Sequence, residues 1–328
     1  MRIIKFIATI LLFLVVFTIG SYVGKILCFK GFKIPFIAPR DEWAIALYQG
    51  NSPLNFFPTK NFPNPILTGD DVKDIKSTGV ADPFMIFENG KWYLFMEVID
   101  KNGKGSIGLA TSENLIKWRY EKIVLNEPFH LSFPFIFKVE NTYFMVPESR
   151  RSNSVRLYKA KDFPKEWSFE GILIPQGLTD SCIFNYQERW WMLSCSPADS
   201  SNRQAIFLEL FYSNNLLGPW TKHPKSPVVS GRQSSRLGGR VIQYNGKLIR
   251  YAQDGSPYYG RQIRAFEITA LSIEDYAEKE IPLNPELRET GAGWNAHGMH
   301  HIDPHLLPDQ TWIACVDGKQ KRLQVFWK

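Results

Sequence analysis

The chain has 328 residues, 44% of them hydrophobic and 22% charged, a globular composition that can bury one large core or two small ones. The net charge of +7 sits in residues 1–40, where Arg2, Lys5, Lys25, Lys30, Lys33 and Arg40 meet no acidic side chain, while the remainder carries 33 basic against 32 acidic residues. That near balance excludes the basic footprint of a nucleic-acid-binding protein.

From the amino terminus, Phe6 to Gly24 is a run of 19 uncharged residues between Lys5 and Lys25, long enough to cross a hydrocarbon core. A cleaved signal peptide is the competing reading, but the apolar run is long for one and no A-x-A-like site follows. The expectation is therefore an uncleaved anchor and juxtamembrane linker over 1–40, with a soluble domain over 41–328. Basic residues flank both ends of the run, so the positive-inside rule does not orient it. The expected location is a single-pass membrane protein with its soluble domain on the non-cytoplasmic side.

Beyond the anchor one pattern recurs five times: a short strand, a tight polar turn and an aromatic-rich strand. The copies begin at Ala81 (ADPFMIFENGKWYLFMEV), Ser132 (SFPFIFKVENTYFMVPES), Thr179 (TDSCIFNYQERWWMLSCS), Gly238 (GGRVIQYNGKLIRYAQDG) and His300 (HHIDPHLLPDQTWIACVDG). In the first three, Asp82, Phe133 and Asp180 fall at one equivalent position, Trp92, Tyr143 and Trp190 at a second, and Glu97, Glu148 and Cys195 at a third. Asn89-Gly90 and Asn245-Gly246 suit two-residue hairpin turns, because both residues tolerate positive φ. A third strand follows each hairpin and leads to Trp118, Trp167 and Trp220 in the first three copies; fourth strands are expected at Arg119–Val124 and Ser168–Ile174. The last copy ends on RLQVFWK, its third strand, so Trp43–Gly50 (WAIALYQG) is expected to supply the missing fourth strand and close the ring. About 57 residues per repeat accommodate four strands and their loops. The fold class expected is all-β, a five-bladed β-propeller preceded by one transmembrane helix. Cys182 and Cys195 are expected near each other in the third hairpin, either as a disulfide or as buried thiols, the latter being commoner.

The ADPF motif, the S-x-x-L-x-x-W run ending at Trp118 and the five repeats resemble the arabinanase, levansucrase and invertase superfamily, including glycoside hydrolase family 43. VADPF, HLSFPF, PES, LTDS, LGGR, YGRQIRAFEI and WNAHGMHHID more closely resemble the amino-terminal domain of plant glucosamine inositolphosphorylceramide transferases and its stand-alone bacterial relatives. The resemblance runs from about Trp43 to the end. It implies the propeller fold, whereas in the plant proteins it implies that the transferase chemistry belongs to a separate carboxy-terminal domain outside the matched stretch.

The starts of the repeats should converge on one mouth of the central channel. By resemblance to family 43, Asp82 is the general base that activates water and Asp180 the carboxylate that tunes the acid; two carboxylates facing one sugar suit glycosidic-bond chemistry. An Asp at a strand start is also an ordinary turn former. The family's general acid, a Glu in the fourth repeat, is replaced by Gly238-Gly239-Arg240, and an Arg cannot deliver a proton at neutral pH. Arg240 suits a carboxylate or phosphate on a ligand, or a pairing with Asp180. Glu148 is the catalytic candidate for the missing acid, and Glu97, expected as a cross-strand neighbour of Asp82, is the alternative; each has an ion pair with Arg150 or Arg240 as its structural explanation. His130, Arg150, Arg240, His300 and His301 join Glu97 as expected substrate-binding residues. No metal-ligand spacing such as HExxH occurs, and no protein-held metal is expected; the resemblance implies a His facing an axial ion, with His301 as counterpart and a water-coordinated calcium as the only cofactor considered.

Two functions follow. One is a membrane-tethered carbohydrate-active protein working on glycosidic bonds of a glycan or glycolipid, by hydrolysis or glycosyl transfer. The other is a non-catalytic propeller that binds a glycan or glycolipid headgroup beside a partner glycosyltransferase.

Overall fold

The structure is a computed structural model that describes residues 14–20, 22–23, 37–197 and 206–325. Residues 14–20 and 22–23 are helical, and among the described residues no helix is long and apolar enough to cross a membrane. Most of the expected anchor, with Lys25, Lys30, Lys33 and Cys28, lies outside the described residues. The chain divides into two units, Trp43–Gln320 and a smaller one combining Met1–Glu42 with Lys321–Lys328.

The larger unit is a five-bladed β-propeller, each blade an antiparallel sheet. Blade 1 comprises Ser77–Glu88, Lys91–Asp100, Gly105–Ser112 and Arg119–Leu125, and blade 2 Ser132–Val139, Thr142–Glu148, Val155–Asp162 and Glu166–Ile174. In blade 3, Thr179–Tyr186, Arg189–Pro197 and Ile206–Ser213 are flanked by the short strands Thr221–Lys222 and Val229–Ser230. In blade 4 the inner strand is broken into Arg236–Leu237 and Ile242–Tyr244, which pair with Lys247–Asp254; Gln262–Leu271 and Tyr276–Ile281 follow. The Asn-Gly turns adopt the expected geometry, with φ of 50° and 78° at Asn89 and Gly90 and 50° and 76° at Asn245 and Gly246. The recurring Trp residues lock the loops after the third strands, since the indole N–H groups of Trp118, Trp167 and Trp220 donate to the carbonyls of Leu115, Pro164 and Leu216.

Blade 5 differs in detail from expectation. Its strands run in the order Ile302–Leu306, Trp312–Val325, Ile37–Ser52 and Asn55–Pro58. The amino-terminal segment thus closes the ring as the third strand, not the fourth, and a short hairpin through Asn55–Pro58 supplies the fourth. RLQVFWK is no separate strand: through Val325 it continues the second strand, and its last three residues lie outside those described. Sequence explains why Ile37–Ser52 fits here. Ile45 and Leu47 are buried in the core shared with blade 1, while the alternate residues Ala46 and Tyr48 enter the core shared with blade 4. A strand buried on both faces needs a continuous apolar run, which AIALY provides.

The first three inner strands share an irregularity that the sequence pattern hid. Phe84 pairs with Phe95, but Ala81, not Asp82, pairs with Glu97. Ser132 likewise pairs with Glu148 and Thr179 with Cys195. The residue after each is the extra member of a β-bulge, with φ of 51° at Asp82, 43° at Phe133 and 51° at Asp180. The expected cross-strand pairing of Asp82 with Glu97 is therefore displaced by one residue. Cys182 lies opposite Leu193, away from Cys195, and both are free buried thiols whose pKa burial raises to about 12.

Candidate active site at the channel mouth

The bulges swing Asp82 and Asp180 away from the ladder toward the axis, because the extra residue at positive φ redirects its own side chain. Asp82 is 5% exposed and Asp180 fully buried. Asp82 is fixed from two blades: its Oδ2 accepts the Phe133 N–H at 3.1 Å, and its own N–H donates to Asp317 Oδ2 at 3.1 Å. Asp317 is a hub. Its Oδ1 accepts the N–H groups of His300 and His301 at 3.1 and 2.9 Å, and its Oδ2 lies 2.8 Å from His300 Nδ1. Burial works to raise the Asp317 pKa, but His300, His301 and the Asp82 N–H outweigh it and hold Asp317 below the usual carboxylate range. His300 in turn stacks on Trp43 at 4.0 Å between ring centroids. Gly260 makes that stack possible: at φ +70°, a Cβ there would lie 2.8 Å from the Trp43 ring and 3.2 Å from His300.

Asp180 Oδ2 accepts from Arg236 Nε at 2.5 Å and faces Gln253 Nε2 at 3.5 Å. Glu148 lies at the end of its strand, receiving the Arg150 backbone N–H at 3.1 Å and the Ser132 hydroxyl at 3.5 Å. Glu97 Oε1 lies 3.3 Å from His130 Nε2, and His130 Nδ1 accepts the Gly105 N–H at 2.9 Å, which assigns the proton of the neutral ring to Nε2. These carboxyl groups share one desolvated region and repel each other. Burial, with Asp317 and Asp180 nearby and partly offset by His300, raises the Asp82 pKa to about 7. Burial, reinforced by Asp180 and Asp82, likewise raises Glu148 to about 7, and burial with Asp82 and Glu148 drives Glu97 well above the carboxylate range. His301 is pushed down to about 4 by burial and stays neutral.

The mouth opens into a cavity of about 500 Å³ lined by His130, Ser132, Glu148, Arg150, Arg151, Thr179 and Arg236. Of the residues picked from sequence, Asp82, Asp180, Glu148, Glu97, His130, Arg150, His300 and His301 gather at this end. Arg240 does not. It is held by Asp303, which also accepts the Met85 N–H and contacts His305, and it lies over Phe84 and Phe135 as part of the inter-blade core. Its two preceding glycines explain the displacement: a Cβ on Gly239, at φ +153°, would sit 1.9 Å from the Ile302 carbonyl oxygen, so the backbone here is pressed against blade 5. The arginine that meets Asp180 is Arg236, four residues earlier. Sequence reasoning also missed Asp317, although the acidic residues toward the ends of the second strands of the first two repeats, Glu97 and Glu148, were a signal for it.

One ligand atom each from Asp82, His300 and Asp317 lies within 4.8 Å of the others. Both Asp317 oxygens are already engaged, which leaves Asp82 Oδ1, buried and without a hydrogen-bond partner, 3.7 Å from His301 Nδ1. Calcium takes about six to eight oxygen ligands, so this donor set does not fit a directly held calcium ion. The cluster is a hydrogen-bonded hub that orients Asp82.

Residues 39–319 match the family described as glucosamine inositolphosphorylceramide transferase 1, N-terminal. Glucosamine inositolphosphorylceramide transferase 1 of Oryza sativa subsp. japonica is 36% identical over 298 residues, 84% of this chain and 40% of that protein. The protein of the same name from Arabidopsis thaliana is 33% identical over 296 residues, 84% of this chain and 39% of that one. The chain thus spans about two-fifths of the length of these curated relatives. Among solved structures, Zg3597, a family 117 glycoside hydrolase of Zobellia galactanivorans, superposes with a TM-score of 0.52 at 15% identity, covering 85% of this chain and 90% of that one, a likeness of fold. By its match along 39–319 and its identity to the plant proteins, the chain belongs to the family of the glucosamine inositolphosphorylceramide transferase 1 amino-terminal domain.

Proposed function

We propose that this protein is carbohydrate-active and works on a glycosidic bond of a glycan or glycolipid headgroup bound at the channel mouth. The observation that carries this reading is that Asp82 and Glu148, from different blades, meet at one mouth with both carboxyls raised to about 7. A general acid or base is most effective when its pKa lies near the working pH. Asp82, oriented by Phe133 and Asp317, is the base, its Oδ1 being buried without a hydrogen-bond partner and so able to take the proton of a water or hydroxyl that reaches it. Glu148 lines the cavity and is the acid. Asp180, its charge matched by Arg236, raises the Glu148 pKa and so keeps its proton available near neutrality. His130, His300 and His301 shape and orient this floor. The names of the plant relatives and the glycoside hydrolase fold of Zg3597 support a saccharide as the ligand.

A second reading is a non-catalytic propeller that presents a glycan to a partner glycosyltransferase; it is favoured by the burial of Asp82 and Asp180 beneath a cavity whose lining holds three arginines and a single carboxyl. In either case the uncharged run from Phe6 to Gly24 is proposed to tether the propeller to a membrane on its non-cytoplasmic side. Retention of the full-length protein in the alkali-washed membrane pellet supports the tether, and release into the supernatant refutes it. D82N and E148Q preserve shape while removing a titratable carboxyl. Assayed on a saccharide selected from a glycan array, each should lower turnover by about 10² to 10⁴ with affinity largely kept. Changed affinity without any turnover in the unaltered protein would establish the second reading, and no change in either quantity would remove the site from the mouth.

A further inference from the structure

Beside the cavity that Glu148 lines lies a second of about 510 Å³, and the two share His130 and Arg151. They differ in their carboxyl groups, since Glu148 lines the inner cavity together with three arginines. The outer cavity is bounded by Asn102, Lys104, Phe129, His130 and Arg151 and has no carboxylate in its lining. The nearby Asp100 is turned into its own loop, its Oδ1 accepting the N–H groups of Asn102 and Lys104 at 2.8 Å each. Lys104 Nζ donates to Asn126 Oδ1 at 2.7 Å, a neutral partner. Burial works to raise the Asp100 pKa, but the backbone N–H groups of Lys104 and Asn102, and after them the Lys104 charge, hold it below the usual carboxylate range. Arg151 projects from the short helix Arg150–Ser152 and is exposed. His130 is the partition: burial and Arg151 push its pKa down, so the ring is neutral, with Nε2 toward Glu97 on the inner side.

We propose that this outer compartment is an anion-binding subsite in which Lys104 and Arg151 take a phosphate or carboxylate group of the saccharide whose other end lies over Asp82 and Glu148. Two cations and no carboxylate lining one cavity would repel a cationic group and gain nothing from a neutral one, whereas an anion forms charge-assisted hydrogen bonds with both. In the inner cavity Arg236 is already paired with Asp180 and Glu148 stands in the same lining, whereas no carboxylate in the outer lining competes with the anion for Lys104. This inference rests on the saccharide reading of the mouth.

The test is calorimetric titration of the full-length protein with glucose, glucose 1-phosphate, glucuronic acid and inorganic phosphate, repeated with K104M and R151M after their thermal transitions are shown to match the parent. The expected result is that at least one anionic sugar binds about tenfold or more tighter than glucose, that K104M erases this advantage without altering glucose affinity, and that R151M weakens the anionic sugar at least as much. Whether the phosphate or the uronate shows the advantage identifies the group. Glucose binding as tightly as both anionic sugars, or an advantage that survives both substitutions, overturns the proposal, as does an absence of binding by all four probes. Inorganic phosphate binding that requires Lys104 and Arg151, with no sugar binding at all, would keep the anion subsite and overturn the saccharide reading.

Discussion

Replacing Arg236 by Met isolates what the pair at the mouth contributes to the fold. Asp180 has a side chain 1% exposed, and apart from Arg236 its Oδ2 has only the long Gln253 contact, while its Oδ1 has no hydrogen-bond partner among the described residues. Removing the guanidinium strands a buried carboxylate. With charge centres about 4 Å apart and an effective dielectric of about 20, the lost attraction is about 4 kcal/mol. Breaking buried pairs costs about 3 to 5 kcal/mol, and because the Arg236 side chain is 26% exposed the lower end applies, about 3 kcal/mol. Chemical denaturation of the parent, R236M, D180N and the double variant provides the cycle. R236M should lower stability by about 3 kcal/mol, and adding D180N should restore most of the loss, since a neutral amide no longer needs the cation. A deficit in R236M below about 1 kcal/mol, or a double variant as unstable as R236M, would show that the pair is solvated and refute the buried-carboxylate argument.

Further tests address the other parts of the structure. Deleting residues 43–58 removes two strands of blade 5 and exposes the edge of Trp312–Val325, so the remainder should show no cooperative thermal transition by circular dichroism. G239A drives a Cβ into the Ile302 carbonyl and should cost more than about 3 kcal/mol in denaturant titration, whereas G90A, where a Cβ meets nothing within 4 Å, should cost about 1 kcal/mol through its positive φ alone. Glu148 is raised from 4.5 to about 7, so the folded protein holds a proton that the unfolded chain releases. Stability relative to E148Q should therefore be level below about pH 4.5, fall as pH rises to about 7 and level off above, and a difference that grows in the opposite direction would reverse the assignment.

The sequence by itself determined the five repeats, the all-β class, the Asn-Gly hairpins and the ring closure by an amino-terminal strand. These are local facts: alternation of apolar residues, turn chemistry and spacing are written in neighbouring positions. It also located most of the mouth, because the inner strand of every repeat starts at the same end of one axis. What it missed depends on one-residue offsets and on contacts between blades. The bulge at Asp82, Phe133 and Asp180 leaves the hydrophobic pattern intact on both sides, so nothing in the alternation shows that Asp82 slips out of register with Glu97. Arg236 and Arg240 are both cations of one interrupted inner strand, and the packing of Gly239 against Ile302 separates them, so that Arg240 goes to Asp303 and Arg236 to Asp180. The proton affinities of Asp82 and Glu148 belong to the tertiary structure alone, because a carboxyl far from others in the chain acquires a raised pKa only when folding removes its water and brings the other carboxylates within reach.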